Sequence, residues 1–205
     1  MGSRFGSVQL MLPHRPSGEP SPPKPPTKRG RRKTQPMDLA WLDERALRYA
    51  SRWEASAAGV ATLLERKIFE RCERTGESSD AARELIPGLV AELVDRGYVD
   101  DRRFATGVLE GQRRRGASTA RIRARLAAKG IAESLLDELL AEEDPEVEVR
   151  SAWKLARRQR LGPYCVDPAE RRELRDRHLG VFSRQGFEYE TALEIVDADG
   201  PPDSI

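Results

Sequence analysis

Two distant stretches of this chain repeat one spacing of residue types, and the repeat constrains the fold more than any other feature. Each stretch has a polar start, apolar residues four and eight positions on, and a lysine at position eleven. The first copy reads Ser56, Val60, Leu64, Lys67 and Ile68, and the second reads Ser118, Ile122, Leu126, Lys129, Gly130 and Ile131. A weaker third copy aligns Gly186-Phe187 with Gly130-Ile131.

This repeat predicts a row of small helical modules. Spacings of four place Val60 with Leu64, and Ile122 with Leu126, on one face of a helix. A polar residue before such a stretch and a glycine after it are signals for the start and end of a helix. A single module could not bury its apolar face alone, so neighbours must stack. An array of this kind is a long surface, which favours a binding function.

The composition favours an all-α fold. The chain is 38% hydrophobic, 34% charged and 6% aromatic, which is typical of a charge-rich helical protein rather than a deep-cored enzyme. Strand-like runs of Val, Ile and Thr are absent, and Ala, Leu, Arg and Glu dominate after residue 37. We predict an elongated tandem array of three three-helix modules, nine helices in all, preceded by a disordered tail. The predicted bounds are 1–37 for the tail and 38–97, 98–144 and 145–199 for the modules.

The net charge of +2 conceals two parts of opposite sign. Residues 1–36 carry eight Lys or Arg, one acid and eight of the fourteen prolines, for a net charge of +7, whereas the remainder is at −5. Proline removes backbone donors and like charges repel, so this segment is predicted to be disordered. Its basic run, Lys28 to Lys33, could contact nucleic acid non-specifically or could simply be solvated.

Metal, redox and membrane functions have little support in the sequence. Cys72 and Cys165 form no C-x-x-C pattern, and His14 and His178 stand far apart, so we predict no metal site, no cofactor and reduced thiols. Nowhere do eighteen apolar residues run together, and the short apolar run near the start is broken by Pro13. We therefore expect a soluble, cytoplasmic protein, and a monomer.

Paired aspartates at Asp100-Asp101 invite a catalytic or metal interpretation, but helix capping explains them better. Asp100 is placed to cap the next helix, and Asp101 in its first turn would complement the helix dipole. Val99 and Phe104 could form a hydrophobic staple across that turn. His, Cys or a third carboxylate at ligand spacing is missing nearby.

Basic residues form two stripes on predicted helices. Seven bases and no acid lie between Gly111 and Ala132, whereas residues 133–148 hold eight acids and no base. The seven are Arg113, Arg114, Arg115, Arg121, Arg123, Arg125 and Lys129, and a second stripe comprises Arg150, Lys154, Arg157 and Arg158. Such runs are often solvated faces, but two adjacent modules with basic stripes favour an acidic or phosphate-bearing partner. Phe104, Trp153 and Tyr164 are predicted core residues, which argues against base stacking.

With these features in view, the chain resembles the RecX family, the regulators of the RecA recombinase. The resemblance rests on four blocks in order: Gly97-Tyr98-Val99-Asp100-Asp101 with Phe104-Ala105; Gly116 with Ile122, Leu126 and Lys129-Gly130-Ile131; Arg157-Arg158-Gln159-Arg160 after Trp153; and Arg184-Gln185-Gly186-Phe187. It covers about residues 38–197. Two departures are Glu54-Ala55 before Ser56, where the family often has arginine, and His178 at an apolar position.

The resemblance implies a fold of three tandem three-helix modules. It also implies binding in the groove of the RecA–DNA filament and inhibition of RecA recombinase, ATPase and coprotease activities in DNA repair, with non-specific DNA binding in addition. The predicted contact residues are Arg113, Arg114, Arg115, Arg121, Arg125, Lys129, Arg150, Lys154, Arg157 and Arg158.

A helical protein that acts on DNA directly is the alternative, and DNA binding that survives physiological salt would favour it. An enzyme is disfavoured because no phosphate-binding loop, H-E-x-x-H or G-x-S-x-G motif is present.

Overall fold

Every regular element of the computed structural model is helical within residues 35–202, the part of the chain that it describes. This confirms the predicted all-α class, whereas almost all of the predicted tail lies outside the described residues. The first module contains α1 (Leu39–Ala50), α2 (Ala57–Thr75), α3 (Asp80–Glu84) and α4 (Ile86–Asp95). The second contains α5 (Asp101–Arg114), α6 (Thr119–Ala127) and α7 (Glu133–Ala141). The third contains α8 (Val147–Gln159), a 3-10 turn (Gly162–Tyr164), α9 (Pro168–Glu173), α10 (Arg175–Arg184) and α11 (Tyr189–Asp197).

Eleven α-helices lie in the described residues where nine were predicted, because two predicted helices are each broken in two. The first break lies just before Pro87, which occupies the first turn of α4 and has no amide hydrogen to continue a preceding helix. The second break lies at Leu174, whose φ of −91° and ψ of 3° leave helical geometry. No residue type in the sequence marks that second break.

Each module buries its own hydrophobic cluster. The repeated positions Val60 and Leu64 are fully buried in the first cluster, and Ile122 and Leu126 are fully buried in the second, as the spacing predicted. The third cluster is built around Phe182 and includes Trp153. Fully burying one such apolar side chain contributes about 1.5–3 kcal/mol, so these clusters are the main source of stability. Val99 packs into the first cluster, and Phe104 packs against the second.

The predicted helix starts are confirmed. The side chains of Ser56, Asp100 and Ser118 each accept a hydrogen bond from the backbone amide three residues on, at 3.0, 2.9 and 3.2 Å. Such a bond satisfies one of the amides that the first turn of a helix leaves without a partner.

The repeated serines also connect one module to the next. The Ser56 hydroxyl donates to the carbonyl of Lys129 at 2.7 Å, and the amide of Ala57 donates to the carboxylate of Asp101 at 2.7 Å. Gly130, at φ 75°, lies so close to α2 that a Cβ built on it would stand 2.3 Å from the Ala58 Cβ. The start of α2 is therefore held by two segments of the second module.

The same arrangement recurs between the second and third modules. The Ser118 hydroxyl donates to the carbonyl of Gln185 at 2.6 Å, and the amide of Thr119 donates to Glu148 at 2.9 Å. A Cβ on Gly186 would stand 3.0 Å from the Ser118 Oγ and 3.1 Å from the Ala120 Cβ. The same four groups occupy equivalent places at both contacts between modules: the serine, the amide of the residue after it, the carboxylate that accepts from this amide, and the glycine. We call this set of four groups the module joint. The sequence repeat therefore encodes the module joint as well as the helices.

His178 shows how the third module accommodates a polar side chain in its interior. Its Nδ1 accepts a hydrogen bond from the Gly162 amide at 3.2 Å, and the residue is buried. Burial lowers the pKa of His178, and the nearby charges of Arg177 and Arg171 lower it further against the opposing effect of Glu170. The neutral imidazole is the form that the native state prefers.

Acidification should therefore destabilise the protein through His178. Below about pH 6.5 the unfolded chain binds a proton on this imidazole that the native state resists, so stability falls with pH until the lowered native pKa is reached. Thermal unfolding followed by circular dichroism, in steps between pH 7 and pH 5, measures the slope. In His178→Gln this slope should be clearly reduced, and an unchanged slope would contradict the assignment.

Candidate functional site

The acidic run after α6 is neutralised within the protein. All eight carboxylates of residues 133–148 form ion pairs, and four arginines supply the partners, two acids to each. Arg102 pairs with Glu138 and Glu142, Arg113 with Glu143 and Glu148, Arg123 with Glu133 and Asp137, and Arg150 with Asp144 and Glu146. This pairing separates four arginines whose charge is neutralised within the fold from the basic residues that these acids leave unpaired.

Arg113 has the most extensive of these contacts. Its guanidinium donates to Glu143 at 2.7 Å, to Glu148 at 2.6 Å, to the Ala117 carbonyl at 3.1 Å and to the Thr119 hydroxyl at 2.7 Å. Burial acts to lower the pKa of Arg113, but the hydrogen bonds that it donates to Glu143 and Glu148, together with the negative charges of these carboxylates, outweigh burial and leave the pKa raised.

Arg113 is therefore an internal residue. It is 6% exposed, and its donors are directed at the module joint rather than at solvent. Arg113 is therefore unavailable to a partner, and Arg150 is likewise paired, with Asp144 at 3.0 Å.

Six of the predicted contact residues gather where α5 meets α8. An open depression of about 500 Å³ is lined by Arg114, Lys154, Arg157 and Arg158 alone. A smaller one of about 120 Å³ adjoins it and shares Arg158 with Arg115 and Arg121. We call these six residues the basic patch: Arg114, Arg115, Arg121, Lys154, Arg157 and Arg158.

A close approach of backbone to backbone forms the basic patch. Gly116 ends α5 with φ 70°, and a Cβ built there would stand 2.7 Å from the Ser151 carbonyl oxygen and 2.9 Å from the Leu155 nitrogen. The absence of a side chain lets the end of α5 lie directly on α8, which carries the other cations. Arg158 crosses this contact and donates to the Arg115 carbonyl.

Acids are scarce around the basic patch. The two depressions are lined by no carboxylate, and the only ion pair that a patch residue makes within residues 35–202 is that of Arg114 with Glu110, at 3.7 Å between exposed side chains. An exposed pair of that length contributes little. Unopposed guanidinium groups in a concavity suit phosphates or carboxylates, which they can bind through two parallel hydrogen bonds.

Besides Arg113 and Arg150, two predicted residues lie outside the basic patch. Arg125 is exposed on α6, with no ion pair in the described part of the chain. Lys129 lines a cleft of about 530 Å³ between the first two modules, together with Tyr49, Leu63 and Arg66. The predicted set is thus divided by the fold into a cluster of six and four residues elsewhere.

Sequence reasoning missed a second basic surface in the first module. A groove of about 430 Å³ between α1 and α2 is lined by three aromatic rings, six cations and one acid. The rings belong to Trp41, Tyr49 and Trp53. The signal was present in the sequence, since Trp41, Arg45, Arg48 and Arg52 recur at helical spacing, but only the fold brings α2 against them.

Within residues 35–202 the structure shows no group of His, Cys, Asp and Glu arranged to hold a metal ion. In the same range, no helix is both long enough and apolar enough to span a membrane.

Tandem helical modules connected by the same module joint define a helical repeat protein. A family model described as the second three-helix domain of RecX matches residues 100–140, inside the predicted second module. The chain belongs to the RecX family of regulatory proteins. This confirms the family that the sequence blocks predicted.

Several proteins named regulatory protein RecX are similar to this chain. The protein of Halorhodospira halophila is 33% identical over 144 residues, which are 65% of this chain and 85% of that protein. That of Myxococcus xanthus is 28% identical over 172 residues, or 83% of this chain and 92% of the relative. That of Chromohalobacter salexigens is 31% identical over 130 residues, covering 62% and 82% respectively.

Proposed function

We propose that this protein is a non-enzymatic regulator of the RecA recombinase that binds the RecA–DNA filament in its helical groove and inhibits its recombinase, ATPase and coprotease activities. Membership of the RecX family supports the regulatory role. The observation that carries the proposed contact surface is the basic patch, six cations from two modules in a concavity without acid.

The division of the basic residues into paired and unpaired groups supports a macromolecular partner. The arginines nearest the acidic run are neutralised by it, while the basic patch is left unopposed although the acids lie close by in the sequence. Left unpaired, like charges repel one another, and a negative partner relieves that repulsion. Nucleoprotein filaments offer phosphates and acidic side chains together, and both suit arginine.

Binding to DNA alone is the second candidate, and the same cations favour it because they suit the phosphate backbone. Such binding would weaken steeply with salt, since it depends on the release of counterions. RecA-dependent binding that outlasts DNA binding as salt is raised would support the filament as the partner.

Charge reversal of the basic patch tests the proposal. Arg114→Glu/Arg157→Glu should leave the fold intact, because both side chains are exposed. It should raise the concentration needed to inhibit RecA by at least about tenfold, since each contact to a charged group is worth about 1.5–3 kcal/mol. The measurement is ATP hydrolysis by RecA on single-stranded DNA, titrated with each variant.

Arg172→Glu/Arg184→Glu is the matched control, with the same change of charge at exposed residues of α9 and α10. It should inhibit nearly as well as the unaltered protein. Deleting residues 1–36 should chiefly change the salt dependence of binding, because it removes a diffuse charge of +7. Loss of inhibition on that deletion, together with full inhibition by the reversed patch, would place the working surface in residues 1–36 instead.

A further inference from the structure

The aromatic groove of the first module, between α1 and α2, is built differently from the basic patch. Its walls combine flat rings with cations, and the only acid that lines it within residues 35–202 is Glu70. That carboxylate is already held by Lys67 at 2.7 Å and by Arg66 at 3.7 Å. The groove therefore presents a net positive charge beside exposed aromatic surface.

One of its rings is open and another is already covered. Trp41 is 4% exposed, with the Arg45 guanidinium 3.7 Å and that of Arg71 5.0 Å from its ring centre. Trp53, by contrast, is 65% exposed, and within residues 35–202 its side chain makes no hydrogen bond and no ring contact. Its backbone is fixed, since its amide donates to the Tyr49 carbonyl at 3.1 Å. Trp53 therefore exposes its indole ring to solvent while its backbone is held by a hydrogen bond.

The cations that line the aromatic groove are close enough to affect the pKa of Arg45. Burial lowers the pKa of Arg45, and the charges of Arg48, Arg71 and Arg74 lower it further, against the opposing effect of Glu44. Arg52 and Arg74 are exposed and form no ion pair within the described residues. Both are free to meet a negative group at the mouth of the groove.

We propose that the groove binds single-stranded nucleic acid, with a base stacked on Trp53 and the flanking phosphates bound by Arg52 and Arg74. Open rings beside cations are the combination that single-stranded nucleic acid requires, because every base has a face that can stack. A duplex keeps those faces inside its own stack. An acidic polypeptide would use the cations but would gain little from the exposed indole.

This inference does not rest on the proposed function. The groove shares no residue with the basic patch and lies in another module. It adds a binding site for single-stranded nucleic acid to a protein whose proposed partner is the RecA–DNA filament.

Tryptophan fluorescence of the full-length protein, titrated with a short oligothymidylate, tests the inference. Of the three tryptophans, only Trp53 is exposed, so stacking on it should give a saturable quench. Trp53→Ala should weaken binding about tenfold by fluorescence anisotropy of a labelled oligothymidylate. Trp53→Phe keeps a ring and should retain affinity within about twofold while losing the quench.

Two controls locate the effect. Tyr189→Ala removes an equally exposed ring from the third module and should change neither affinity nor quench. Arg114→Glu/Arg157→Glu alters the basic patch and should leave the Trp53 quench in place, so failure of the proposed function and failure of this inference are distinguishable. Unchanged anisotropy in Trp53→Ala would overturn the inference, as would a polyglutamate peptide that quenches Trp53 and competes as strongly as the oligonucleotide.

Discussion

Replacing Arg113 by alanine is expected to lower the free energy of unfolding by about 3–5 kcal/mol, because the change leaves two partly buried carboxylates without their arginine partner. The Glu143 side chain is 12% exposed and the Glu148 side chain 26% exposed, so water cannot fully replace the lost guanidinium. Arg113 also donates to the Ala117 carbonyl, which would lose a buried hydrogen bond. Urea unfolding followed by circular dichroism measures the change.

Arg114→Ala is the matched control in the adjacent position. Its side chain is 73% exposed and pairs, among the described residues, only with Glu110 at 3.7 Å, so its loss should change stability by no more than about 0.5 kcal/mol. If Arg113→Ala cost as little as Arg114→Ala, the ion pairs of Arg113 would not contribute to the fold, and its exclusion from the contact surface would fail with them.

Gly130→Ala is expected to destabilise the protein by about 2–4 kcal/mol, because a left-handed backbone and a steric clash act together. Gly130 has φ 75°, which L-residues rarely adopt, and the new Cβ would stand 2.3 Å from the Ala58 Cβ across the module joint. Thermal and urea unfolding give the size of the effect.

Two further variants separate the backbone cost from the clash. Gly76 has nearly the same φ, 71°, with nothing within 4 Å of a built Cβ, so Gly76→Ala should cost only the backbone part, about 1–2 kcal/mol. Adding Ala58→Gly to Gly130→Ala removes the clashing atom and should restore the steric part, apart from the cost of about 0.5–1 kcal/mol for glycine in a helix. No recovery in this double variant would mean that the modules do not meet at this point.

The sequence predicted those features that depend on near neighbours along the chain. Helix caps at Ser56, Asp100 and Ser118 act over three residues, and the stripes Val60/Leu64 and Ile122/Leu126 act over four, so local spacing was sufficient. The break before α4 has a local cause as well, because Pro87 has no amide hydrogen to continue a preceding helix.

Local residue spacing could not predict the features that depend on contacts between residues far apart in the sequence. The acidic residues and Arg113 are separate runs in the sequence, and only the fold shows that Arg113 is enclosed by Glu143 and Glu148 while its neighbour Arg114 faces solvent. Asp101 was predicted to favour its own helix, yet it also accepts the amide of Ala57, 44 positions earlier. No role was predicted for Trp53, because the groove that it lines exists only where α2 packs beside α1.

The module joint affects how long a segment of this chain must be to fold by itself. Ala57 and Thr119 each have an amide that is satisfied by a carboxylate of the following module, and each repeated serine donates to a carbonyl there. A module separated from its successor would expose a helix start whose amide and hydroxyl donors have no acceptor. The successor would keep its carboxylate and carbonyl acceptors without those donors, and its glycine would no longer be packed. We therefore expect the segment that repeats in the sequence to be smaller than the segment that can fold alone.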